Sequence, residues 1–88
     1  ARGDAAASSA DYERIVTLLA APRGADQHHL RAVALVELGK ADQALPAAEQ
    51  ALRMRPDSPA ALETRGLVFE ALGRKEEAIA DLRRALSF

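Results

Sequence analysis

Residues 59–86 read PAALETRGLVFEALGRKEEAIADLRRAL and decide the fold once they are set beneath residues 25–52, ADQHHLRAVALVELGKADQALPAAEQAL. Gly39 and Gly73 fall in register, as do Leu38/Leu72, Arg31/Arg65, Leu35/Phe69, Leu45/Ile79 and Ala51/Ala85. The same 34-residue step carries Pro22 to Pro56 and extends to two triplets, Leu18/Leu52/Leu86 and Ala10/Ala44/Ala78. A fixed period of this length marks stacked structural repeats. One short amphipathic unit cannot bury its own apolar stripe, so each copy must lean on the next.

Each copy reads as two helices joined at a glycine. The first helix of the later copy opens with Ser58-Pro59, an N-cap followed by proline where its missing N–H costs nothing. It places Leu62, Gly66, Phe69 and Leu72 on one face and stops at Gly73. The second spans about Lys75 to Leu86, with Ala78, Ile79, Leu82, Ala85 and Leu86 directed inward. In the earlier copy a helix from about Asp26 to Leu38 carries His28, Ala32, Leu35 and Leu38, and Gly39 stops it. Its companion begins near Asp42, stripes Ala41, Leu45, Ala48 and Leu52, and ends at Pro56. Upstream, Tyr12, Ile15, Val16 and Leu19 fit one more helix, capped by Ser8 or Ser9 and ended by Pro22-Arg23-Gly24. Residues 1–9 are small, polar and aperiodic, as in a flexible tail; their Arg2-Gly3-Asp4 spells an integrin tripeptide that chance explains better.

Composition agrees. Of 88 residues, 21 are Ala and 12 Leu, against 4 Val, 2 Ile and 3 aromatics, which nearly excludes an all-β chain. Twelve basic against 13 acidic residues leave a net charge of −1, without the basic excess that displaces phosphate counterions, so nucleic acid is not an expected partner. There is no cysteine for a disulfide, thiolate metal site or nucleophile. No apolar run approaches the ~20 residues that span a bilayer, so membrane insertion is not expected either. The start shows neither an initiator Met nor an apolar signal core, as in a piece of a longer protein. Alanine- and arginine-rich, lysine-poor usage points to a GC-rich bacterial source. The compartment stays open, with the cytoplasm favoured.

These marks together resemble the tetratricopeptide repeat (TPR) family, whose unit is a 34-residue helix–turn–helix. Residues 59–88 match its pattern as Leu62, Gly66, Phe69, Leu72-Gly73, Ala78 and Ala85-Leu86, ending before the family's proline. Residues 25–58 match as His28, Ala32, Leu35, Leu38-Gly39, Ala44, Ala51-Leu52 and Pro56, and residues 10–24 resemble the second helix of a preceding partial repeat. The resemblance implies an all-α solenoid fragment of five antiparallel helices wound as a right-handed superhelix. Small residues at 32, 44, 51, 66, 78 and 85 suit close helix approach. Two departures weaken the earlier repeat: His28 replaces a bulky apolar residue, and Pro46 should cost a hydrogen bond or bend the first turn of its helix.

Catalytic chemistry finds no support. His28 and His29 point about 100° apart on a helix and cannot chelate one ion. The serines sit in a tail or at caps, so no Ser-His-Asp set forms, and the single glycines build no phosphate loop. Glu76-Glu77 suits a helix N-terminus, Glu49 and Arg53 read as a solvated i, i+4 pair, and Arg53, Arg55, Arg83 and Arg84 suit helix C-termini. No catalytic residue, cofactor or metal is expected.

In proteins of this family the first helix of each repeat lines a concave face that holds partner peptides. Carried over by position, one helix offers Asp26, His29, Leu30, Val33, Val36 and Glu37, and the next offers Ala60, Glu63, Thr64, Leu67, Glu70 and Ala71. This surface is apolar in its middle, acidic around it, and without Lys or Arg. The Lys, Asn and Arg with which some relatives clamp a C-terminal carboxylate are absent at His29, Val33, Glu63, Thr64 and Leu67, which argues against a chaperone-tail adaptor. The expected function is a non-catalytic protein–protein interaction module for a peptide or helix with apolar anchors and basic flanks. The alternative is a structural, dimerising or regulatory segment of a larger bacterial protein or enzyme, pairing through exposed repeat ends as a homo-oligomer.

Overall fold

Local chemistry sets the helix ends. Ser8 Oγ accepts the Asp11 N–H at 3.3 Å while Asp11 Oδ2 accepts the Ser8 N–H at 3.1 Å, a reciprocal cap that starts α1 (Ser9–Leu18). Ser58 Oγ accepts the Ala61 N–H at 3.1 Å and, with Pro59 behind it, starts α4 (Pro59–Ala71). The remaining helices are α2 (Gly24–Glu37), α3 (Ala41–Met54) and α5 (Lys75–Leu86). The computed structural model describes residues 8–88, among which no strand occurs. Arg2-Gly3-Asp4 lies outside the described residues.

The repeat is visible in backbone hydrogen bonds. After α2, Lys40 N–H reaches Leu35 O (2.8 Å) and Gly39 N–H reaches Val36 O (2.9 Å); after α4, Arg74 N–H reaches Phe69 O (2.8 Å) and Gly73 N–H reaches Glu70 O (3.0 Å). Both closures need a left-handed residue, and Gly39 (φ 75°) and Gly73 (φ 77°) supply it. Two boundaries differ from the sequence expectation. α1 stops at Leu18, well before Pro22. α2 starts two residues earlier than Asp26, where Gln27 Oε1 accepts the Arg23 N–H at 2.8 Å. Pro46 lies inside α3 near its start and removes one hydrogen bond, leaving the carbonyl of exposed Asp42 without its helical partner, and the helix continues through it.

Chain order becomes spatial order. α2 pairs with α3 and α4 with α5 as helical hairpins; α4 also packs on α2 and α3, and α1 packs on α2. Alanine sets the spacing. Ala32, Ala47 and Ala48 form one buried cluster; Ala51 and Ala61 form another with Leu52 and Leu62. Leu35, Ala41, Ala44 and Val68 make the third, with Val16, Val36, Leu45 and Leu72 around it. At Gly66 a Cβ would lie 3.2 Å from Leu82 Cγ and 3.3 Å from Ala78 O, so glycine sets the α4–α5 approach. α5 departs from expectation: Ala78 is buried, but Ile79, Leu82 and Leu86 are exposed, Leu86 at 86%. Leu82, at 37%, still packs on α4 at Gly66, whereas Ile79 and Leu86 stand open to solvent.

Charge locks the second hairpin. Arg65 donates through Nε and Nη2 to buried Asp81 at 2.7 and 2.8 Å, and that bond raises the Arg65 pKa further. Arg74 forks onto Glu77 at 2.6 and 2.8 Å, and both guanidinium groups lie over Phe69, 5.5 and 4.7 Å from its centroid. Glu49 and Arg53 do not pair as expected: Arg53 Nε donates to Gln50 instead, and Glu49 faces the cleft holding Arg65 and Arg74.

Asp81→Ala strands the Arg65 guanidinium. It is expected to lower stability by about 2 kcal/mol in urea denaturation, near the low end for charged hydrogen bonds because Arg65 is partly solvated. Gly39→Ala and Gly73→Ala should each cost about 1 kcal/mol, the two losses matching within error. The Arg74 hydrogen bond holds the exposed Glu77 carboxyl below its ordinary value of 4.5. A depressed folded pKa gives stabilisation present above the unfolded value and lost as pH falls through the folded one. NMR titration of Arg74→Gln should therefore show the Glu77 carboxyl titrating at higher pH than in the unsubstituted protein.

Candidate functional site

α2 and α4 touch directly, and the faces they turn away from α1, α3 and α5 hold the residues expected to contact a partner. Leu30 (46% exposed) and Leu67 (45%) are the large apolar side chains open to solvent there. Val33 is half-buried, and Val36 packs on the cluster of Leu35, Ala41, Ala44 and Val68, so it serves the core as much as the surface. Glu37, Glu63 and Glu70 are exposed and form no ion pair among the described residues; Ala60 and Ala71 are exposed as well.

Two expected contact residues are engaged internally. His29 Nε2 and Thr64 Oγ1 lie 2.7 Å apart, and Thr64 is buried at 7% exposure. That hydroxyl ties α2 to α4 across the seam. Asp26 Oδ1 accepts from Arg55 Nη1 at 2.9 Å, both side chains being largely in solvent. The face is therefore not free of cations: Arg55, which ends α3, reaches its edge. An exposed pair of this kind adds little stability, and its Asp26 charge stays partly available.

At this edge the N-terminal turns of α2 and α4 meet the end of α3 around a cavity of about 200 Å³. Ala25, Ala51, Ala60 and Ala61 wall it, and Asp26, His29, Arg55 and Ser58 supply its polar groups. Its size admits one small side chain. The sequence reading missed Arg55, Ser58 and the three buried alanines because they belong to the helix joint rather than to a face of α2 or α4. A larger hollow of about 450 Å³ lies on the Arg55–Ser58 loop, open to solvent and without converging chemistry. Among the described residues no three His, Asp or Glu side chains come together as metal ligands, and no helix is long and apolar enough to cross a membrane.

A comparison with curated proteins returns no match. A family model described as tetratricopeptide repeat matches residues 29–88, more than half of the chain. Such repeats are generally protein–protein interaction modules, and the family is generally a non-catalytic scaffold. The hairpins closed at Gly39 and Gly73, the alanine-spaced helices and this match have one reading: the chain belongs to the tetratricopeptide repeat family.

Proposed function

We propose that this chain is a non-catalytic interaction module whose α2–α4 face binds a peptide or helix segment with apolar anchors and basic flanks. In this reading the repeats divide as 25–58 and 59–88, with residues 10–24 as the second helix of a preceding one. The carrying observation is the pair Leu30 and Leu67, each nearly half exposed on adjacent helices, with Glu37, Glu63 and Glu70 exposed on the same helices and without ion-pair partners among the described residues. Apolar anchors bury against the two leucines, while cationic flanks meet the glutamates in partly desolvated surroundings. The cavity beside His29 accepts one small side chain of the ligand, with Asp26 at its mouth. Because the glutamates are exposed, their share of the affinity is screened by salt.

A second reading rests on α5. Ile79 and Leu86 are exposed on α5 and Phe88 is exposed after it, which suits a structural segment that dimerises. Sedimentation equilibrium separates the two, since that reading requires self-association weakened by Leu86→Gln.

Leu30→Gln/Leu67→Gln tests the face directly, because both side chains are surface-exposed and their loss leaves the core intact. Against a panel of Leu-anchored peptides, the unsubstituted chain should prefer Lys/Arg-flanked members over Glu-flanked ones, and weaken as salt rises. The double variant should bind them about tenfold less well by calorimetry, at unchanged helicity. A preference of this face for Glu-flanked peptides would remove the reading.

A further inference from the structure

Among the described residues the chain forms three arginine–carboxylate pairs, and one is unlike the other two. Arg65 grips Asp81, and Arg74 grips Glu77, as two-bond forks. Arg55 holds Asp26 through a single bond, Nη1 to Oδ1 at 2.9 Å, and both of its side chains are more exposed than those of either fork. A solvated pair held by one bond adds little net stability, so its partners exchange readily.

This pair sits where the α2–α4 face begins. Asp26 lies four residues before Leu30, the spacing that puts both on one side of α2. Asp26 and Arg55 also border the cavity of about 200 Å³ walled by Ala25, Ala51, Ala60 and Ala61. The other carboxylates of the face, Glu37, Glu63 and Glu70, have no ion-pair partner among the described residues. Asp26 alone among them is neutralised by the chain itself, and by the kind of charge that a basic flank would bring.

We infer, on the reading of the α2–α4 face as the binding surface, that Arg55 is an internal stand-in for the ligand. Its guanidinium holds the place on Asp26 that a Lys or Arg of the bound segment takes, and that residue displaces it. The ligand's cation then belongs next to the anchor that packs on Leu30, with a small neighbouring residue in the cavity. Arg55 ends α3 and is exposed, so its side chain turns into solvent without disturbing the core. The internal pair weakens every cationic ligand slightly and sharpens selection, because a neutral side chain has no charge with which to take Asp26 from Arg55.

The test is calorimetric titration at physiological salt, where charges more than about 8 Å apart are screened. The probes are a Leu-anchored peptide with Lys beside the anchor and its Gln twin. Arg55→Gln should bind the Lys peptide about threefold more tightly than the unsubstituted chain, and the Gln twin no more tightly. Arg53→Gln removes another exposed arginine of the same helix end, one that bonds Gln50, and should leave both affinities unchanged. In an Asp26→Asn background, Arg55→Gln should bring no gain. All three positions are exposed, and helicity should be retained throughout. No gain in Arg55→Gln, an equal gain in Arg53→Gln, or a gain that persists without Asp26 overturns the inference, while loss of the Lys peptide in Leu30→Gln/Leu67→Gln would leave the face itself standing. A Lys peptide that binds no variant, or binds Leu30→Gln/Leu67→Gln as well as the unsubstituted chain, overturns both the face and the role of Arg55.

Discussion

Ala32 meets Ala47 and Ala48 where α2 crosses α3, and Ala51 meets Ala61 where α3 passes to α4; these contacts let helix backbones approach so closely that larger side chains fit only beside the crossings. Gly66 continues the series between α4 and α5, with a carbonyl of the next helix 3.3 Å from where a Cβ would sit. Every feature of interest follows from this spacing. It brings α2 and α4 together on one side, forming the face around Leu30 and Leu67. On the other side it leaves a cleft between α3 and α5, floored by Arg65 and Phe69 of α4. Interiors tolerate little added volume, so a methyl-scale change at these alanines alters the angle between helices as well as the stability.

Spacing fixes the frame, and charge then distinguishes its copies. In the second hairpin Asp81 is buried against Arg65, so that arginine finds its carboxylate within the hairpin. The first keeps the arginine and replaces its partner with alanine. Its joint to the second is polar instead: His29 bonds Thr64 across the seam, and Asp26 pairs with Arg55 at the edge.

Much of this could be read in the chain. The five helices, their glycine stops and the small residues at 32, 44, 51, 66 and 78 follow from periodicity and capping, because local chemistry governs them. Pro46 removes one hydrogen bond, as local reasoning expects, and the helix runs on because the carbonyl it frees belongs to exposed Asp42. Ile79, Leu82 and Leu86 carry the same stripe as Leu45, Ala48 and Leu52, yet burial depends on a covering helix, which no pattern within α5 can report. At the candidate face, helical position located Leu30, Glu63 and Leu67 on the surface, while the sealing of Thr64 against His29 and the reach of Arg55 to Asp26 depend on how α2, α3 and α4 come together. The repeat offset of 34 makes Arg31 the counterpart of Arg65, but that its Nε is unbonded among the described residues is seen only in three dimensions.

The most direct test of the central claim, that the α2–α4 face is the working surface, is amide chemical-shift mapping during titration with a Leu-anchored, Lys/Arg-flanked peptide. Perturbations concentrated at His29, Leu30, Val33, Glu63 and Leu67 are the predicted result. Perturbations confined to α1, α3 or α5, with α2 and α4 silent, would contradict it.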